Sequence, residues 1–141
     1  MNTIRPLKTK LTKVILPVGR GKLILVIDDE EALLGLTKNI LQSSGYRVVT
    51  AQNGLQGVAR FGENQDEIKL VITDSDMPEM GGMGVIRAIR ELKPDIPIII
   101  ASGSEGDKEE LQRIDPIHLK SLGKPYSIDQ LLMAVDMALH H

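Results

Sequence analysis

Leu23-Ile-Leu-Val-Ile-Asp-Asp-Glu-Glu31 is the stretch on which the reading of this chain turns. Five aliphatic residues in succession have the length of a strand buried on both faces, and the acids that follow without a spacer open the next element. Ala32, Leu33, Leu36, Ile40 and Leu41 then recur at helical spacing and predict a helix that buries these five residues and ends before Gly45. The alternation repeats outward along the chain. Tyr46 to Thr50 reads as a second strand, Asn53-Gly54 turns into a helix carrying Leu55, Val58, Ala59 and Phe61, and Leu70 to Thr73 reads as a third strand. Gly81-Gly82 opens a helix with Val85, Ile86, Ile89 and Leu92 that Pro94 closes, and Ile96 to Ala101 forms a fourth strand. A weaker helical stretch covers Asp107 to Ile114, and Ile117 to Leu122 is the fifth strand. Ser127 with Gln130 makes a capping box for a last helix using Ile128, Leu131, Leu132, Val135 and Leu139.

Short strands joined by helices require right-handed crossovers with helices on both faces of the sheet. The predicted class is α/β, a doubly wound five-stranded parallel sheet. Ligands of such sheets bind beyond the carboxyl ends of the strands, so the chemistry belongs just after them. The first strand ends in Asp28-Asp29, the third in Asp74 with Asp76 two residues on, the fourth in Ser102, and the fifth near Lys124-Pro125. Each has an ordinary explanation taken alone: helix-capping acids, turn chemistry before Pro78, a capping serine, a solvated lysine. Convergence on one sheet edge changes the balance, because three carboxylates repel unless a cation or a shared proton intervenes. A hard divalent cation such as Mg²⁺ fits an all-oxygen site and leaves room for a phosphate. With a hydroxyl and an ammonium added, the set describes a pocket for a phosphoryl group, in which a carboxylate can act as nucleophile.

Composition narrows the field. The 141 residues, 42% hydrophobic and 26% charged, suit one domain with its own core. No apolar run approaches the roughly 18 residues of a membrane span, and no secretory signal is legible, so the chain is expected to be cytoplasmic. The absence of Cys removes disulfides, thiol catalysis and Cys/His zinc sites, and any metal must sit on oxygen. Three aromatic residues, Tyr46, Phe61 and Tyr126, are too few for a base-stacking surface. Residues 1–22 carry Arg5, Lys8, Lys10, Lys13, Arg20 and Lys22 with no acid, against 11 basic and 19 acidic residues in the remainder. The basic segment, broken by Pro6, Pro17 and Gly19, reads as a solvated linker or N-terminal extension over 1–21, and the acidic body argues against direct DNA binding.

From about Lys22 to Leu139 the chain resembles the receiver domain of two-component response regulators. The resemblance rests on Leu25-Val-Ile-Asp-Asp-Glu30, Leu70-Val-Ile-Thr-Asp74, Met77-Pro-Glu-Met-Gly-Gly82, Ile98-Ile-Ile-Ala-Ser102 and Lys124-Pro125, in order and at these spacings. It implies the flavodoxin-like (βα)5 receiver fold over 22–139, with 140–141 a tail or tag remnant. It further implies that Asp74 takes a phosphoryl group from a histidine kinase or histidine phosphotransfer protein. Asp29 and Asp74 would ligate Mg²⁺, Asp28 would act mainly through a metal-bound water, and the Asp76 backbone carbonyl would complete the set. Lys124 would pair with the phosphoryl oxygens, Ser102 would swing toward them, and the Lys124-Pro125 peptide would be cis.

Two positions depart from the family pattern. Ser121 stands where receivers generally carry an aromatic, three residues before the lysine, and Asp76 places a carboxylate beside the phosphoryl site. The stretch Asp115-Pro-Ile-His118 also replaces the usual Gly-Ala before the fifth strand. No output module is read after Leu139, and Leu16-Pro-Val-Gly-Arg-Gly21 is similar to the linker preceding the C-terminal receiver of hybrid histidine kinases. A homodimer through the face from the fourth to the fifth helix is a further expectation. The alternatives are a phosphatase of the haloacid-dehalogenase type using Asp74 and Asp76, which the motif order disfavours, and a degenerate module that takes no phosphate. The receiver itself is not expected to be an enzyme acting on other substrates.

Overall fold

A computed structural model of the protein describes residues 18–103 and 106–140, the side chains of 106 and 107 excepted. Arg5, Lys8, Lys10 and Lys13 of the basic segment, Leu16-Pro17 and His141 lie outside the described residues. Strands β1 (Leu23–Ile27), β2 (Arg47–Ala51), β3 (Ile68–Asp74), β4 (Ile98–Ser102) and β5 (Leu119–Gly123) alternate with helices α1 (Glu31–Ser43), α2 (Gly54–Asn64), α3 (Gly82–Leu92), α4 (Gly106–Ile114) and α5 (Ile128–Leu139). All pairings are parallel, in the order β2-β1-β3-β4-β5, so the strand order reverses between β1 and β3. This is the doubly wound α/β sheet that the sequence predicts.

Alternation along the strands sorts the aliphatic residues into two cores. Leu23, Leu25 and Ile27 face Phe61 of α2, Val85, Ile86 and Ile89 of α3, and Leu111 of α4. Ile24 and Val26 face Leu34 and Leu41 of α1 and Leu131, Leu132 and Val135 of α5. α2 sits tightly on the first face because Gly57 has no side chain: an added Cβ would run into the buried Ile27. Asn53 caps α2 by accepting from the Gln56 amide, and the Ser127–Gln130 capping box is formed. Among the described residues, no helix is long and apolar enough to cross a membrane.

Several expected details shift. The buried face of α1 runs through Leu34, Thr37 and Leu41, whereas Leu36 is 55% exposed and Ala32 is also exposed. On α2 the inner positions are Gly54, Gly57 and Phe61, with Leu55 and Ala59 outside. On α3 Leu92 is exposed, as is Ile128 at the start of α5. The second strand starts one residue later than read, and the third is longer at both ends. The fifth strand begins at Leu119 rather than Ile117, because the Asp115 carboxylate accepts the Ile117 and His118 amides and folds that stretch into a turn.

Candidate functional site

Parallel register decides what meets at the carboxyl edge of the sheet. Ile27 pairs with Thr73, Asp74 with Ala101, and Ser102 with Gly123, so the residues after β1 and β5 and the last residues of β3 and β4 share one rim. Asp28, Asp29 and Asp74 each bring a carboxylate oxygen within 4.8 Å of the others. Asp28 and Asp74 are buried and Asp29 is exposed, which gives the cluster one open side. The Lys124 ammonium donates to Asp74 Oδ1 at 2.9 Å and lies 3.7 Å from Asp28 Oδ2. Its backbone is fixed as well, with Lys124 N donating to the Ser102 carbonyl at 2.9 Å. Lys124-Pro125 is cis, as the resemblance implies.

The loop after β3 returns closely over Asp74. Gly82 N donates to the Ser75 carbonyl, and a Cβ on Gly82 would lie 2.9 Å from the Asp74 carbonyl oxygen, so α3 starts this near only with glycine there. Asp76 lies exposed on that loop and adds no carboxylate to the triad. Ser102 is buried at the end of β4. The first acids do not cap α1 through a side chain: the N-cap is Glu30, which makes no side-chain cap hydrogen bond, and Asp28 Oδ1 instead accepts the Glu30 amide at 2.9 Å, leaving its second oxygen toward Lys124.

Electrostatics follow from burial. Desolvation raises the Asp28 pKa above its ordinary value, and the Glu30 amide and the Lys124 charge only partly offset it. Burial opposes the charge on Lys124, but the Asp74 hydrogen bond and the Asp28 and Asp74 carboxylates outweigh it and push its pKa up. Three carboxylates against one ammonium leave negative charge uncompensated, and all donors are hard oxygens. That set fits a divalent cation of the Mg²⁺ type.

Two features of the surroundings were not legible. Thr37, buried in the apolar seam of α1, lies with Oγ1 3.1 Å from the Tyr126 hydroxyl. A polar side chain between Leu34 and Leu41 signals a missing partner, but nothing local names Tyr126. Beside the site, Leu33, Leu36, Ile40, Tyr126 and Ile128 line a groove of about 540 Å³ between α1 and the start of α5, which explains the exposure of Leu36 and Ile128. At Ser121, where an aromatic is usual in receivers, a cavity of about 100 Å³ remains between α4 and β5 beside Leu111 and Leu119.

A doubly wound sheet with an acidic triad and a lysine on its carboxyl rim is the architecture of a phosphoacceptor signalling domain. The chain matches the response regulator receiver domain family over residues 24–136 and belongs to it. Among its relatives is the transcriptional regulatory protein GlrR of Escherichia coli (strain K12), 34% identical over 116 residues that make up 82% of this chain and 26% of GlrR. The sensor kinase CckA of Brucella abortus (strain 2308) is 33% identical over 112 residues, 79% of this chain and 12% of CckA. The chain thus spans about a quarter or less of these relatives. The crystal structure of response regulator protein TrrA from Thermotoga maritima, in complex with Mg(2+)-BeF, superposes with a TM-score of 0.73 at 32% identity, over 84% of this chain and 99% of that one. The phosphatase reading finds no support in these matches.

Proposed function

We propose that Asp74 is the phosphoryl acceptor of this receiver. The observation that carries the reading is the Lys124 ammonium 2.9 Å from Asp74 Oδ1, within a triad completed by Asp28 and Asp29. An Asp74 oxygen attacks the phosphorus of a phosphohistidine on a histidine kinase or phosphotransfer protein. A P–O bond forms as the P–N bond breaks, and the imidazole leaves and takes up a proton, giving an acyl phosphate. Mg²⁺ would be held by Asp29, Asp74 and the Asp76 backbone carbonyl, with Asp28 acting mainly through a metal-bound water, and would supply charge neutralisation; TrrA, crystallised with Mg(2+)-BeF, supports this assignment by likeness. Lys124 stabilises the transferred oxygens, and the Ser102 hydroxyl turns toward them and repacks its loop. The domain catalyses only its own phosphorylation and dephosphorylation.

The output is a change in protein contacts, with homodimerisation through the α4 to α5 face as one form and no direct DNA contact. A cytoplasmic location and a place in a hybrid histidine kinase, with 1–21 as linker and 22–139 as receiver, complete the reading. The likeness to CckA and the Leu16–Gly21 stretch favour the latter. The test is incubation with Mg²⁺ and acetyl phosphate, followed by intact mass. Wild type gains one phosphoryl group, EDTA abolishes the gain, and Asp74→Asn shows none. No gain in wild type identifies a degenerate module.

A further inference from the structure

The loop that carries Lys124 is tied down in three places. Its start is held by Lys124 N on the Ser102 carbonyl, and its end by the capping box of Ser127 and Gln130. Between them Tyr126 reaches across to α1, where Thr37 Oγ1 lies 3.1 Å from its hydroxyl. Thr37 is only 2% exposed, so its hydroxyl has exchanged water for this one side-chain partner, and an unmade bond there is costly. The three ties hold the loop to β4, to the first turn of α5 and to α1. Lys124 and Tyr126 line the same groove, two residues apart on a short loop stiffened by Pro125, so a sideways shift of one moves the other.

We propose that Tyr126 is a positioning residue for Lys124: the Thr37–Tyr126 hydrogen bond clamps the loop to α1 and so sets the Lys124 ammonium over Asp74. The proposal rests on the phosphoacceptor reading and adds to it a route from α1 to the reacting carboxylate. It makes the wall of the α1–α5 groove part of the phosphorylation apparatus, because whatever displaces Tyr126 from Thr37 displaces Lys124 from Asp74.

The experiment uses the full chain with Mg²⁺ and acetyl phosphate, followed by intact mass. Tyr126→Phe and Thr37→Val each remove one partner and slow phosphorylation about three- to ten-fold, the worth of one hydrogen bond expressed as rate. The double variant is no slower than either single one, since both lose the same bond, and Thr37→Ser keeps the rate of wild type. A second readout uses composition. The chain has no Trp and two Tyr, so in a Tyr46→Phe background the emission at tyrosine wavelengths belongs to Tyr126. That emission changes when the phosphoryl group is taken up, and does not change once Asp74→Asn is added. Unaltered rates in Tyr126→Phe and Thr37→Val overturn the proposal, as do additive losses that Thr37→Ser fails to avoid or an emission that ignores phosphorylation. Wild type that takes up no phosphoryl group overturns the phosphoacceptor reading and this proposal together. Normal uptake with an indifferent Tyr126→Phe removes the proposal alone.

Discussion

Asp76 stands two residues beyond the proposed acceptor, exposed on the loop after β3. A carboxylate there repels a phosphoryl group on Asp74 and can orient an attacking water, and both effects shorten the life of the acyl phosphate. Asp76→Asn is expected to lengthen that life about two- to five-fold, the scale of one exposed charge interaction. A radiolabel or mass-spectrometric chase checks it, and an unchanged decay rate excludes the role. The acids themselves were legible at this scale, because Asp28, Asp29 and Asp74 directly follow or end aliphatic runs and parallel register brings such ends together. Thr37 and Tyr126 were not, since their bond joins residues 89 apart in sequence and neither sits in a local pattern that names the other.

Elements differ in how firmly the sequence marks them. The aliphatic runs of β1, β3 and β4 announce themselves: β1 keeps its predicted ends, β3 is longer at both, and β4 starts at Ile98 rather than Ile96 and extends to Ser102. Helix faces were harder: α1 has Leu at 33, 34, 36 and 41, and counting apolar residues cannot show that Thr37 goes inside while Leu33 and Leu36 border a groove. The α4–β5 junction escaped because one side chain shapes it. Asp115 accepts the Ile117 and His118 amides through one oxygen, and its other lies 3.4 Å from both Arg90 Nη2 and His118 Nδ1. Arg90 also donates to the Ile96 carbonyl, so α3, the approach to β4 and the approach to β5 are fastened at one point. Asp115→Ala is expected to destabilise the fold by about 1–3 kcal/mol, from two backbone amides losing their acceptor. Partial burial works against the Asp115 charge, but those amides with His118 and Arg90 prevail and hold its pKa below the ordinary 3.8. A depressed carboxyl pKa contributes stability that is fully present above the unfolded value and is lost as pH falls through the folded one. The gap between wild type and variant in urea melts is therefore constant at neutral pH and narrows as pH falls below 3.8, as the part that depends on the carboxylate charge is lost. A gap that keeps its full neutral-pH size in acid contradicts this account.

For the molecule as a whole, the acidic rim sets a cost that a cation removes. Ions that bind only the folded state stabilise it by mass action, about 2.7 kcal/mol at a hundred times the dissociation constant. Mg²⁺ should raise the melting temperature by several degrees and EDTA should reverse the shift. Burial lifts the Asp28 pKa above 3.8, so protons compete with the metal from a higher pH than at an ordinary carboxylate. The Mg²⁺ increment should shrink as pH falls toward that value, and Asp28→Asn should flatten this dependence. An increment independent of pH, or no increment in wild type, counts against the triad as the metal site.

The sheet order carries a consequence for how the protein comes into being. β1 pairs with β3 although β2 lies between them in the chain, and Lys124 meets Asp74 across 50 residues. The contacts that join Asp28, Asp74 and Lys124 close long loops, and such non-local pairing is slow. During synthesis Lys124 emerges only after all five strands have been made, with α5 still to follow. On the phosphoacceptor reading, the rim is therefore complete only late in synthesis, and a nascent chain lacks the lysine that this reading sets over Asp74.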